Sequence, residues 1–128
     1  MAISAKDLIK KKQLIEDKKD KQIEIEVPET GTFLFRIPNM IDYEDAEAYG
    51  KNRKQGGVEE NKFLIHSCCI EPNLKDSELL EAYGVKNPVD IVSKIFMVGE
   101  ISSIATTLVG KAGFDKEAFK VVEKAKNS

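Results

Sequence analysis

Histidine occurs once in this 128-residue chain, at His66, and cysteine twice, at the adjacent positions Cys68 and Cys69. These scarcities exclude a good deal. A structural zinc site asks for four ligands, typically as two spaced pairs, and His66 with Cys69 leaves no second pair. Neighbouring cysteines rarely join to each other, so reduced, buried thiols in a reducing compartment are expected. A Cys–His couple on one helix does not converge on a substrate as nucleophile and base must. Glycine supplies no phosphate cradle: Gly56-Gly57 lacks the GxxxxGK[ST] pattern, and Gly110-Lys111 has no upstream glycine at the right spacing. No carboxylate pair has surroundings that would drive two pKa values apart. The expectation is no catalytic residue, no cofactor and no metal. No apolar run approaches the roughly 18–20 residues a membrane span requires. Lysines and Asp7 interrupt the start of the chain where a signal core would lie, so a cytoplasmic location is expected.

What is present suits one small globular domain, with 41% apolar and 33% charged residues and a formal net charge of -2. The charge is uneven. Residues 1–21 carry seven lysines against four acids, and the remainder carries thirteen basic residues against eighteen acidic ones. A basic arm of this kind suits nucleic acid, a membrane surface or an acidic partner, or is simply a solvated helix. No aromatic lies within residues 1–32 to stack on a base, which weighs against nucleic acid.

The expected fold class is α+β: a predominantly helical single domain of about five to six helices with one N-terminal antiparallel β-hairpin. Residues 4–18 read as a helix capped by Ser4. Ile23, Ile25 and Val27 then alternate with Gln22, Glu24 and Glu26. Pro28-Glu29-Thr30-Gly31 is turn chemistry, and Phe33, Phe35 and Ile37 alternate again before Pro38. Asp42 is expected to cap a helix through about Arg53. After a break at Gln55-Gly56-Gly57, a helix runs from Val58 to Ile70, ended by Pro72. Asp76 or Ser77 caps a short helix through Tyr83, with Gly84 at its C′ position. Asn87-Pro88 starts another helix. Gly99 breaks that helix from one running Glu100 to Leu108, Gly113 breaks again, and Asp115 caps a last segment containing Phe119, Val121 and Val122. The division expected is a basic helical arm over 1–21, a single domain over 22–122 and a polar tail over 123–128.

One segment is more specific than these patterns. Ile70-Glu71-Pro72-Asn73-Leu74-Lys75-Asp76, followed by Leu79, Leu80, Glu81, Ala82, Tyr83 and Gly84, resembles the XkdN-like family of phage tail assembly chaperones. The similarity continues through Pro88-Val89-Asp90-Ile91-Val92, Lys94-Ile95-Phe96, Gly99-Glu100-Ile101 and Ala112-Gly113-Phe114. Upstream it takes in Gly31-Thr32-Phe33, Arg36 and Pro38, so that it spans roughly residues 22–115. The resemblance implies a non-catalytic protein that binds and solubilises the tape-measure protein, helps recruit tail tube subunits, works in the host bacterial cytoplasm and is absent from the finished particle. Many such chaperones are made in a second, longer form by ribosomal slippage, for which Lys126-Asn127 is a candidate site.

A chaperone of a helical rod needs apolar surface backed by charge. The candidates are the hairpin face Phe33, Phe35 and Ile37 and the helical stripe Ile101, Ile104 and Leu108; the alternative for each is ordinary core. Two other readings stay open. A structural tail subunit would self-assemble through the hairpin edge, and a nucleic-acid-binding regulator would use the lysine-rich arm and lose binding on Lys10→Glu and Lys11→Glu. Whether the chain forms a homo-oligomer also stays open.

Overall fold

The computed structural model describes residues 1–53, 56–114 and 118–123. Among them the element order is α1 (Ala5–Lys10), α2 (Lys12–Lys19), β1 (Gln22–Val27), β2 (Gly31–Arg36), α3 (Met40–Lys51), α4 (Gly56–Cys68), β3 (Cys69–Glu71), α5 (Ser77–Ala82), a 3₁₀ turn (Pro88–Asp90), α6 (Ile91–Ile95), α7 (Val98–Val109) and a closing turn (Gly110–Phe114). This is the α+β fold expected.

The alternating runs form the hairpin. Ile23 pairs with Phe35 and Ile25 with Phe33, placing the apolar residues of both strands on one face. The connecting turn is closed by Thr30 N–H donating to Val27 O at 3.1 Å, with Pro28 at its second position and Glu29 at φ 70° at its third. Proline followed by a positive φ is the signature of a type II turn, a place that favours glycine over glutamate.

The helix expected over 4–18 is broken at Lys11 into α1 and α2, and three further features differ from the sequence expectation. First, α4 ends at Cys68, and Cys69–Glu71 form β3, which pairs antiparallel with β2. The sheet therefore has three strands in the order β1-β2-β3. Three residues are too few to show a period, and the partner that draws them into a strand is the otherwise open edge of β2. Second, Asn39 caps α3, not Asp42. Asn39 Oδ1 accepts the Asp42 N–H at 2.9 Å, and Asp42 Oδ2 accepts the Asn39 N–H at 2.8 Å, a reciprocal capping box. Third, α6 and α7 part at Phe96-Met97, and Gly99 lies inside the first turn of α7. Phe96 turns extended there, and its ring meets Phe33 at 4.9 Å between centroids, so a core contact makes the break. Gly113 does break the chain, at φ 106°. Asp115 and the candidate slippage site Lys126-Asn127 lie outside the described residues, and 118–123 are not helical.

The core lies between the sheet's apolar face and α4, α6 and α7. Phe35, Ile65, Cys68, Leu74, Ile91, Val92 and Leu108 are its fully enclosed members. Helix α3 packs beside α4, where Tyr49 lies 5.1 Å from Phe63, receives the Asn87 amide at 2.7 Å and has Arg53 over its ring at 4.2 Å. Helices α1 and α2 contribute no buried residue.

Candidate functional site

The six residues offered by the sequence as an apolar binding face, Phe33, Phe35, Ile37, Ile101, Ile104 and Leu108, are all buried. Five of them, all but Ile37, sit in one hydrophobic cluster in which the aromatic hairpin face, α4, α6 and α7 close a shared core. Two of the six still reach the surface from below. Ile37 and Ile104 each help to floor an open groove.

The first groove runs between α2, the start of α3 and the turn after α7, with an open volume of about 1200 Å³. Its walls carry Ile15, Met40, Ile41, Tyr43, Phe114 and Phe119. Met40 is 76% exposed, and Ile41, Phe114 and Phe119 are exposed as well. Tyr43 and Phe114 rings meet at 5.3 Å, which joins the α3 wall to the turn after α7. Lys18 and Lys19 on α2, Lys111 on the turn after α7, and Glu44 and Glu47 on α3 give its lining both signs of charge.

A second groove of about 570 Å³ lies between β1 and the start of α7, lined by Ile25, Val27, Pro28, Met97, Val98 and Ile104 among others. Met97 and Val98 are 73% and 77% exposed. The two grooves share a device the sequence reading missed. Each is bordered by two consecutive apolar residues at a helix start, Met40-Ile41 on α3 and Met97-Val98 on α7. Those positions lie beyond the core's reach, where acidic residues are the favoured occupants. An apolar pair just before a capping carboxylate, Asp42 or Glu100, is the signal that could have found them.

Polar groups lock the frame around the grooves. Arg36, at the end of β2, donates to both Asp42 oxygens at 2.6 and 2.9 Å and to Ser67 O at 3.1 Å, tying the sheet to α3 and α4. The Arg36 hydrogen bonds outweigh burial and hold the Asp42 carboxyl below the usual carboxylate range. Lys62 is enclosed in α4 and donates to Asp90 at 2.8 Å and to Glu59 at 3.3 Å. Burial opposes its charge, but these two carboxylates outweigh it, and its pKa ends raised. Burial is also the main cause that keeps His66 neutral, with its pKa lowered. Its buried Nε2 has no hydrogen-bond partner. Burial pushes the Cys68 thiol up to about 12 and Cys69 to about 11, so neither is a ready thiolate at neutral pH. Among the described residues, no group of three or more His, Cys, Asp and Glu side chains is placed to hold a metal.

The specific segment 71–84 is a folded corner. Glu71 ends β3, and the Glu71–Pro72 peptide is cis. Asn73 Oδ1 accepts the Lys75 N–H, Leu74 is enclosed in the core, and Asp76 caps α5 by accepting the Leu79 N–H at 2.9 Å. Tyr83 ends α5 and Gly84 follows at φ 65°. The Gly84 N–H then donates to Glu81 O and the Val85 N–H to Leu80 O, each at 3.0 Å, the paired bonds of a Schellman motif. The contacts of the motif thus hold the corner together: Glu71 in the sheet, Leu74 in the core, and Asn73, Asp76 and Gly84 in the turns.

Comparison with curated proteins finds no match. Comparison with solved structures finds none either. A model of one protein family, described as phage XkdN-like tail assembly chaperone protein, matches residues 6–126. The match is wider than the resemblance read from the motifs, and takes in most of the basic arm.

Proposed function

This chain belongs to the phage XkdN-like tail assembly chaperone family, and we propose that it serves tail assembly by holding apolar helices of the tape-measure protein in the groove between α2, α3 and the turn after α7. The observation that carries this reading is the groove itself. It exposes Met40, Ile41, Phe114 and Phe119 together, on a floor that includes Ile37. Isolated exposed apolar residues need no explanation, but a contiguous apolar groove with a charged rim is the form that receives an amphipathic helix. Such a client presents apolar residues at helical spacing and charges of both signs beside them, matching Lys18, Lys19, Glu44 and Glu47 at the rim. This surface replaces the buried Phe33, Phe35, Ile101 and Leu108 as the contact region. The proposed setting is the host cytoplasm, before the tail is complete.

The test is co-expression with the tape-measure protein, followed by a solubility assay and a pull-down. The expected result is a soluble, co-purifying client. Ile41→Asp with Phe114→Asp should abolish capture with the fold retained, since both side chains are exposed and an acid in the first turn of α3 suits the helix dipole. A client that stays insoluble with the wild-type chain, or is captured equally by the variant, overturns this reading. Rings or tubes formed by the chain alone would favour a structural tail subunit.

A further inference from the structure

The outer edge of β1 sits directly beside the second groove, and the two together make a site for an extended chain. Strand β1 is the first of the order β1-β2-β3, so among the described residues its outer side has no strand against it. Which groups point outward follows from the ladder. Ile37 N–H donates to Lys21 O at 3.3 Å, and pairing continues as Ile23 with Phe35 and Ile25 with Phe33. In an antiparallel ladder bonded pairs recur every second residue, so Lys21, Ile23, Ile25 and Val27 turn their backbone groups toward β2. Gln22, Glu24 and Glu26 turn theirs to the open side. Outside the ladder, none of these three makes a backbone–backbone bond among the described residues.

Side chains divide the same way. Ile23, Ile25 and Val27 face inward, and Gln22, Glu24 and Glu26 are exposed on the outer face. A strand added along β1 would drop alternate side chains into the groove walled by Ile25, Val27, Met97 and Val98 and floored by Ile104. Its remaining side chains would lie beside Glu24 and Glu26. Like charges opposite one another on a sheet are destabilising and opposite charges stabilising. A second copy pairing β1 with β1 would bring glutamates against glutamates, the usual way a natural edge is guarded against its own kind. A strand with lysine or arginine on the outer face and aliphatic residues on the inner face meets no such penalty.

The geometry points to β1 as a docking edge for an extended partner segment in which basic residues alternate with aliphatic ones. This inference does not rest on the helix-binding groove, which lies at α2 and α3, so either can fail alone.

The experiment uses the full chain and labelled synthetic octapeptides: alternating Lys-Val, alternating Glu-Val, and lysines and valines in two blocks. Fluorescence anisotropy at low salt measures binding, and amide chemical shifts locate it. The alternating Lys-Val peptide should bind about tenfold or more tighter than the other two, since only it satisfies both backbone edge and charge. Its shifts should map to β1 and the start of α7. Glu24→Lys with Glu26→Lys should reverse the preference toward the Glu-Val peptide; both positions are exposed, so the fold should persist. Glu24→Pro deletes one outward N–H and leaves the bonds to β2 in place, and should weaken Lys-Val binding about tenfold. Equal binding of alternating and blocked peptides, shifts that map elsewhere, or an unchanged preference in the charge-reversed variant overturns the proposal. So does concentration-dependent dimerisation lost in Glu24→Pro, which would make a second copy the occupant.

Discussion

Helices α7 and α2 are both amphipathic, and they meet opposite fates. Ile101, Ile104, Ala105 and Leu108 are buried along α7, whereas α2 buries nothing and its Leu14 is exposed. The difference lies in what each faces. The α7 stripe packs on α4 and closes into one core cluster with an aromatic sheet face that is itself unstable uncovered. The α2 stripe is narrow, set among lysines, and faces an open groove that Ile15 only edges. A helical stripe therefore reports a wish for cover, and a second apolar surface elsewhere in the chain decides whether the fold itself supplies it.

The sharpest way to break that contrast is to hollow the covered side. Phe35 is 0% exposed, and Phe35→Ala should cost about 3–5 kcal/mol, enough to abolish cooperative unfolding in a marginally stable domain. Urea denaturation checks this; a loss under about 1 kcal/mol would mean the hairpin face is not the core.

Next in size is the polar lock beside the core. Asp42→Ala removes both Arg36 hydrogen bonds and the acidic half of the α3 capping box, and should cost about 2 kcal/mol at pH 6. The Asp42 pKa is lowered in the fold, so its contribution is present above the unfolded value of about 3.9 and is lost as pH falls below it. The gap between wild type and variant should accordingly narrow between pH 6 and pH 3. A gap that stays constant would show that packing, not charge, makes the difference.

Smaller again is Gly84→Ala. Its φ of 65° is costly for a side chain, although a Cβ would meet nothing within 4 Å. Backbone strain alone predicts a loss of about 1 kcal/mol, read from the thermal midpoint. No loss would remove the Schellman turn from the account of the family-like segment.

What the sequence made legible follows the same division. Strict alternation in Ile23–Val27 and Phe33–Ile37 exposed the hairpin, because a period of two is visible over a handful of residues. Asp76, Gly84 and Asn87-Pro88 marked their boundaries because each starts or ends a helix by a local mechanism. Strand β3 was hidden, since Cys69–Glu71 pair with β2, more than thirty positions earlier. Asp42 was legible as a capping residue, and Asn39 was missed because the pair shares the cap reciprocally, each side chain accepting the other's backbone N–H. The break at Phe96 was set by Phe33, again from outside the segment. The proposed binding surface was the least legible part: the sequence pointed to the most apolar stripes, and those residues are buried in the fold.

The arm gives the smallest expected change in stability and the clearest separation of folding from binding. Leu14 is exposed on α2, on the same helix as Ile15, Lys18 and Lys19 at the edge of the groove proposed for the client helix. Leu14→Ala should alter the urea midpoint by no more than the equivalent of about 0.5 kcal/mol, because an exposed side chain leaves no cavity. If the arm is a wall of the client site, the stronger change Leu14→Asp should leave that midpoint equally still and reduce tape-measure capture. If the arm is only a solvated helix, both stability and capture will be unmoved, and the groove's working walls are α3 and the turn after α7. A large fall in stability would mean that α2 packs on the core in solution, and the contrast between α2 and α7 would fail at its root.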